Sequence, residues 1–191
     1  MLILASNSPR RKALLSQLGV DFIVKPSGVE ESPFPGETPE DFARRAARAK
    51  AVAIAEFHPD DWVVGADTIV ILNGRILGKP RNADEAKEML SALSGKRHTV
   101  ITAFCVINRK RKTEICRTVS TDVWIKKLDM KEIERYIATG EPFDKAGAYA
   151  AQGIGSFMIK SINGSYTNVV GLPLCELVEV LKTVNAAEGV I

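Results

Sequence analysis

Histidine is almost missing from this chain of 191 residues, which has only His58 and His98. A multi-histidine zinc centre is thereby excluded, and a Ser-His-Asp triad is disfavoured. Cysteine is scarce as well. Cys105, Cys116 and Cys175 form no CxxC pair, and their odd number suits reduced thiols serving as small apolar core residues. Aromatic residues make up 6%, and no apolar run approaches the roughly 20 residues that a membrane helix needs. The apolar start is too short for a signal peptide and has no basic region before it, so a soluble, cytoplasmic protein that avoids membranes is expected. Neither the glycine-lysine signature of a P-loop nor a GxGxxG opening a helix after a strand occurs; Gly95-Lys96 has no upstream glycine and no following serine or threonine.

What remains suits one domain spanning residues 1–191, with 46% hydrophobic residues and a net charge of +3. So mild a bias fits an anionic small substrate and falls short of a nucleic-acid footprint. Strand patterns at 2–5, 21–25, 63–72, 75–78, 98–107, 113–125 and 157–162 interleave with helical patterns at 9–18, 39–57, 83–93, 130–138 and from Pro173 to about Val184. Asn73-Gly74 is a hairpin turn, and the basic knot from Asn108 to Lys112 is most simply the solvated tip of a second hairpin. The two hairpins interrupt a parallel pattern, which predicts an α/β fold with a mixed β-sheet flanked by helices.

The first helix breaks a rule. Ser8 is its N-cap and Pro9 its first residue, and the turn that follows carries Arg10, Arg11 and Lys12 with no carboxylate. Cations near the positive end of a helix are disfavoured by about 0.3–1 kcal/mol each. The helices opening at Thr38, Asn82 and Asp129 all place acids in that turn. An anion seated among the free amides, the Ser6 and Ser8 hydroxyls and the two guanidiniums would reverse the sign, so the segment reads as a phosphate cradle. The alternative is that both arginines point into water.

Asp67 and Thr68 interrupt an otherwise apolar strand, and a carboxylate there must be paired, hydrogen-bonded or bound to a cation. It could equally be a structural aspartate at a bulge beside Gly65, or face solvent on an edge strand. Glu30-Glu31, in a proline-rich loop, offer a second acidic site, and a divalent cation held by Asp67 and one of them would suit magnesium. Lys50 and Lys79 are surface charges by default, although Gly78 and Pro80 fix the backbone around Lys79. In the small-residue stretch from Asp144 to Gly153, Lys145 sits in a charged pair. Gln152 there both donates and accepts hydrogen bonds, as a uracil or thymine edge demands.

Taken together, Ala5-Ser-Asn-Ser-Pro-Arg-Arg11, Gly65-Ala-Asp-Thr68, Gly78-Lys-Pro80, Gly140-Glu-Pro-Phe-Asp-Lys-Ala-Gly147, Tyr149, Gln152-Gly153, Asn163-Gly-Ser-Tyr166 and Val170-Gly-Leu-Pro173 resemble the Maf family of nucleoside triphosphate pyrophosphatases over essentially the whole chain. The resemblance implies a fold like that of the inosine triphosphate pyrophosphatases, with two lobes around a central cleft. It also implies cleavage of a nucleoside triphosphate to the monophosphate and pyrophosphate, dependent on Mg2+ or Mn2+, with Asp67 as proton acceptor. Arg10, Thr68 and Gln152 would match positions linked to base selectivity in the branch acting on dTTP and UTP, as opposed to the branch acting on 7-methyl-GTP. Arg11, Glu31, Lys50 and Lys79 would match further active-site positions, Glu31 sharing the metal with Asp67. A homodimer is implied as well. Two other readings stand beside it: a nucleotide-binding regulator of cell division whose hydrolysis is incidental, and a pyrophosphatase for a purine or modified nucleotide.

Overall fold

The structure, a computed structural model, describes residues 1–30 and 32–186. Glu31 lies outside the described residues. Its strands are β1 (Leu2–Leu4), β2 (Phe22–Val24), β3 (Trp62–Leu72), β4 (Arg75–Leu77), β5 (Arg97–Asn108), β6 (Thr113–Ile125) and β7 (Ile159–Asn163). The helices are α1 (Pro9–Ser16), α2 (Pro39–Ala55), α3 (Ala83–Leu93), α4 (Met130–Ala138), α5 (Tyr166–Val170) and α6 (Leu174–Thr183). The strands form one sheet in the order β2-β1-β3-β5-β6-β7, with β4 paired to β3. β1 runs parallel to both β2 and β3, whereas β3–β4 and β6–β7 are antiparallel, so the sheet is mixed as expected. Among the described residues no helix is long and apolar enough to cross a membrane.

The chain divides into two compact units. The first holds Met1–Asp67, Thr102–Val119 and the described residues from Gly171 on. Its core is built from the fully apolar β1, the inward Leu14 and Leu15 of α1, and Leu177 and Leu181 of α6. The alanines of α2 (Ala43, Ala46, Ala47, Ala51 and Ala55) are all at 0% exposure, which lets that helix lie close on its support. Gly65 in β3 shows how close: a Cβ there would meet the Ala47 carbonyl oxygen and the Ala51 nitrogen, each at 2.5 Å. The glycine thus serves a helix–strand contact and not the bulge considered from sequence. The second unit holds Thr68–Ile101 and Ser120–Val170, packed around Leu90, Leu93, Val100, Val123, Ile133, Tyr136, Tyr149 and Met158.

Local chemistry fixes the helix starts. Ser8, Thr38, Asn82 and Asp129 each accept the backbone N–H three residues on, and Asp129 with Glu132 completes a reciprocal capping box. Two expectations need correction. Cys105 and Cys116 are joined in a disulfide, with Cα atoms 4.0 Å apart, whereas reduced thiols were expected. Each lies three residues from its end of the β5–β6 turn, so only the strand register brings them face to face. The basic knot at that turn is a solvated tip as expected, with Lys110, Arg111 and Lys112 exposed, and its base is tied to the loop after α2. Asn108 donates to the Asp60 and Asp61 carbonyls, Arg109 pairs with Glu56 at 2.5 Å, and Lys110 pairs with Asp60 at 2.5 Å. Finally, β7 begins at Ile159, not at Phe157, because residues 154–158 form a 3-10 turn after Gly153, and α5 was not anticipated.

Candidate active site

β1 stops at Leu4, and its ladder with β3 closes with the Ala5 N–H donating to the Val64 carbonyl at 2.8 Å. Beyond that point β3 runs on without β1 through Gly65, Ala66 and Asp67, while the segment after β1 turns through Ser6 into α1. The carboxyl ends of parallel strands are where α/β sheets bind ligands, because loops and helix N-termini gather there. In this unit that end carries Ser6, Ser8, Arg10, Arg11, Lys50 and Asp67.

Arg11 is turned inward. Its Nε donates to the Gly171 carbonyl at 2.8 Å and its Nη1 to the Ser6 hydroxyl oxygen at 3.3 Å. Ser6, buried at 7% exposure, also accepts the Ser8 N–H at 3.2 Å, and the Ser8 hydroxyl oxygen accepts the Arg11 N–H at 3.4 Å. Both hydroxyl oxygens are therefore set by the cradle. Desolvation pulls the Arg11 guanidinium below its ordinary pKa; the charge of Asp67 opposes that shift and Arg10 adds to it. Arg11 thus feels the charges of both Asp67 and Arg10. The reading in which both arginines simply face water does not hold for Arg11.

Asp67 is held from the other side. The Lys50 ammonium, one residue before Ala51 on α2, donates to Asp67 Oδ1 at 2.5 Å, with the two side chains at 19% and 17% exposure. Neither is an ordinary surface charge. The half-buried carboxylate is satisfied by an ion pair, and the two sequence alternatives, a backbone-bonded bulge and a solvated edge position, fall away. Gly65 lets α2 lie close on β3 beside this pair, since a Cβ there would collide with Ala47 and Ala51.

The second unit carries Thr68, Lys79, Lys145 and Gln152. Thr68 is peptide-bonded to Asp67 and half-buried. Lys79 is exposed in the segment after β4, and the neighbouring Gly78 carbonyl accepts the Gly147 N–H at 2.9 Å, which ties that segment to the stretch bearing Lys145. Lys145, at 12% exposure, pairs with Asp144 and donates to the Glu141 carbonyl at 3.1 Å. Among the described residues the Gln152 side chain makes no hydrogen bond, so both faces of its amide are available.

Sequence reasoning missed Glu141 as more than part of a motif. Its carboxylate accepts the Ile154 N–H at 3.0 Å and the Gly155 N–H at 2.7 Å. Gly171, whose carbonyl fixes Arg11, was also missed; a backbone acceptor leaves no side-chain signal. The basic residues of α2 turned out to be neutralised locally. Arg44 pairs with Asp41, Arg45 with Glu37 at 2.7 Å and Arg48 with Glu114 at 2.5 Å, giving a face of alternating sign.

With this geometry in hand, comparison with known proteins is informative. The family described as Maf-like protein matches residues 1–184. A protein of Geobacter sulfurreducens named dTTP/UTP pyrophosphatase is 53% identical over 185 residues, covering 97% of this chain and 97% of that one. One of the same name from Citrifermentans bemidjiense is 51% identical over 185 residues, covering 97% and 96%. Among solved structures, the Staphylococcus aureus Ham1 protein aligns with a TM-score of 0.48 at 16% identity, over 83% of this chain and 79% of that one.

Proposed function

This chain belongs to the Maf-like protein family, and on that premise we propose that it is a nucleoside triphosphate pyrophosphatase that cleaves dTTP and UTP to the nucleoside monophosphate and pyrophosphate. The observation that carries the reaction class is the half-buried Asp67 carboxylate, bonded by Lys50 and felt by Arg11, where α1 opens without an acid. Phosphoryl transfer asks a protein chiefly for positioning and charge neutralisation. Arg11, Arg10, Lys50 and Lys79 supply cations for a substrate of about four negative charges, and the Ser6 and Ser8 hydroxyls and α1 amides supply donors.

Water attacks the α-phosphorus in line, the new P–O bond forms as the bridging bond to the β-phosphate breaks, and pyrophosphate leaves with the bonding pair. Asp67 accepts the proton of the attacking water. Lys50, bonded to Oδ1, orients the carboxylate. A divalent cation, magnesium or manganese, would be held by Asp67 and Glu31, and when bound it neutralises phosphate oxygens and acidifies water. The donor chemistry fits: Asp67 is a hard oxygen ligand with two carboxylate oxygens, of which Lys50 is bonded to Oδ1. Among the described residues no cluster of three or more His, Cys, Asp or Glu encloses an ion. A cation held by one or two carboxylates, with water and phosphate completing its shell, is how magnesium usually binds.

The pyrimidine preference rests on Gln152 and on the names of the relatives. An amide that accepts from N3–H and donates to O4 of uracil meets the reverse pattern in cytosine. Thr68 and Arg10 complete the base-selective set, and Lys145 joins the substrate-binding one. Placement in the cytoplasm follows from where such nucleotides are used. The test is pyrophosphate release from UTP, dTTP, CTP, ATP, GTP and 7-methyl-GTP, with and without magnesium or manganese, for the wild type and Asp67→Asn. Expected are metal-dependent release fastest with UTP and dTTP, and a fall of about 10²–10⁴-fold in kcat in the variant with an unchanged melt. A purine as best substrate refutes the selectivity, and a fully active variant refutes the role of Asp67.

A further inference from the structure

We infer that Glu141 is a positioning residue for Gln152, acting through the backbone of residues 153–155; this rests on the reading of Gln152 as the group that recognises the base. α4 ends at Ala138, and Gly140, with φ +77°, turns the chain into a 3-10 turn, Glu141–Asp144. From there the Glu141 side chain reaches across to the turn that follows Gln152. Oε1 accepts the Ile154 N–H at 3.0 Å and Oε2 the Gly155 N–H at 2.7 Å, so both oxygens are spent on consecutive amides. Hydrogen bonds from N–H groups to an ionised acceptor are about twice as strong as neutral ones.

The chain has cleared space for that carboxylate. Gly153 sits at φ +84°, and a Cβ there would lie 2.2 Å from Oε1. A Cβ on Gly155 would meet the Tyr136 hydroxyl at 2.6 Å and the Ala150 carbonyl at 2.8 Å. Gly153 lets the backbone fold directly onto the acid, and Gly155 lets the next turn close on Tyr136 and Ala150. Burial opposes ionisation of Glu141, and the donors around it outweigh that opposition, Gly155 foremost, so its pKa lies below the ordinary value.

Gln152 is joined to this turn and has no side-chain partner among the described residues. The position of its Cα and the direction of its Cβ are set by its backbone, which the Glu141 carboxylate pins two and three residues later. The Glu141 carbonyl in turn accepts Lys145 Nζ at 3.1 Å. A single residue thus orders both the lysine and the amide of the 145–155 segment. A merely structural acid would lower all activity alike. A positioning acid alters the choice between bases.

The experiment measures kcat and KM for UTP and CTP in the wild type, Glu141→Gln, Glu141→Asp, Gln152→Ala and the Glu141→Gln/Gln152→Ala double variant. Melting curves and amide exchange over residues 153–155 accompany it. Glutamine leaves one acceptor and turns an NH2 toward an amide N–H. The expected result is a fall of about tenfold in the UTP-to-CTP ratio of kcat/KM, carried mostly by KM for UTP, with faster exchange at Ile154 and Gly155. The fall vanishes in the Gln152→Ala background, since the two residues act as a unit. Aspartate, which keeps the charge but reaches less far, gives an intermediate ratio and serves where the glutamine variant does not fold. Equal losses for UTP and CTP, or an undiminished effect without Gln152, overturn the inference. A wild type with no preference for UTP over CTP overturns the substrate reading instead, and does so before any variant is made.

Discussion

Replacing Gly65 by alanine tests whether the Lys50–Asp67 pair depends on close helix–strand approach. The added Cβ would lie 2.5 Å from the Ala47 carbonyl oxygen, 2.5 Å from the Ala51 nitrogen and 2.8 Å from the Ala51 Cβ. Real Cβ atoms essentially never come within 3.0 Å, so α2 must retreat from β3 by at least about 0.5 Å. Overpacking of this kind costs about 1–3 kcal/mol. At roughly 2–4 °C per kcal/mol for a chain of this size, a cost of about 2 kcal/mol lowers Tm by about 4–8 °C. Lys50 is one residue from the point of collision, and its 2.5 Å bond to Asp67 moves with the helix. A misplacement of about 1 Å can cost about 10²-fold in rate, so half of that should cost about tenfold in kcat, measured at 25 °C where the variant is folded. KM for UTP should change little. Ala51→Gly should not rescue the variant, because the two nearest contacts are backbone atoms. Leu177→Ala, at 0% exposure in the same unit, is the control: it should cost about 2–5 kcal/mol of stability while leaving kcat nearly intact. A Gly65→Ala protein with kcat within about twofold of the wild type would refute the positional argument.

Two further outcomes concern stability. His98 is 3% exposed, its Nε2 lies 2.7 Å from the Tyr149 hydroxyl, and burial lowers its pKa from 6.5 to about 4 despite the pull of Asp122. The unfolded chain therefore binds the proton more readily, so this contribution is full above pH 6.5 and is lost as pH falls toward 4, reaching about 3 kcal/mol. His98→Gln should flatten that part of a urea-denaturation profile against pH, and an unchanged slope would count against burial as the cause. For the Cys105–Cys116 bridge, with a sequence separation of 11, reduction should destabilise the fold by about 3 kcal/mol. Alkylation of the unfolded protein without reductant should label Cys175 alone; labelling of all three would deny the bridge.

Much of this fold was legible because its signals are local. Ser8-Pro9, Thr38-Pro39, Asn82 and Asp129 announce helix starts within four residues, and the alternation and turn residues of β3 to β6 do the same for strands. Asp67 stood out because an acid in an apolar run demands a partner, though sequence did not say that the partner is Lys50. What stayed hidden depends on register or on distance along the chain. The Cys105–Cys116 bridge needs the β5–β6 pairing, the docking of Arg109 and Lys110 needs the loop after α2, and Glu141 meets Ile154 and Gly155 only after the chain has doubled back.

The strongest support for an anion site comes from two features that are each unfavourable alone. An acid-free first turn places Arg10, Arg11 and Lys12 at the positive end of α1, against the helix dipole. Independently, Arg11 is drawn into the unit, where desolvation lowers its pKa and its neighbour Arg10 repels it. Asp67 offsets part of this, but Lys50 already claims one of its oxygens at 2.5 Å. A fold optimised for stability alone would place an acid in that turn, as α2, α3 and α4 do. On the proposed function, a polyanion bound at this turn reverses the sign of both penalties, and the same groups contribute to its binding.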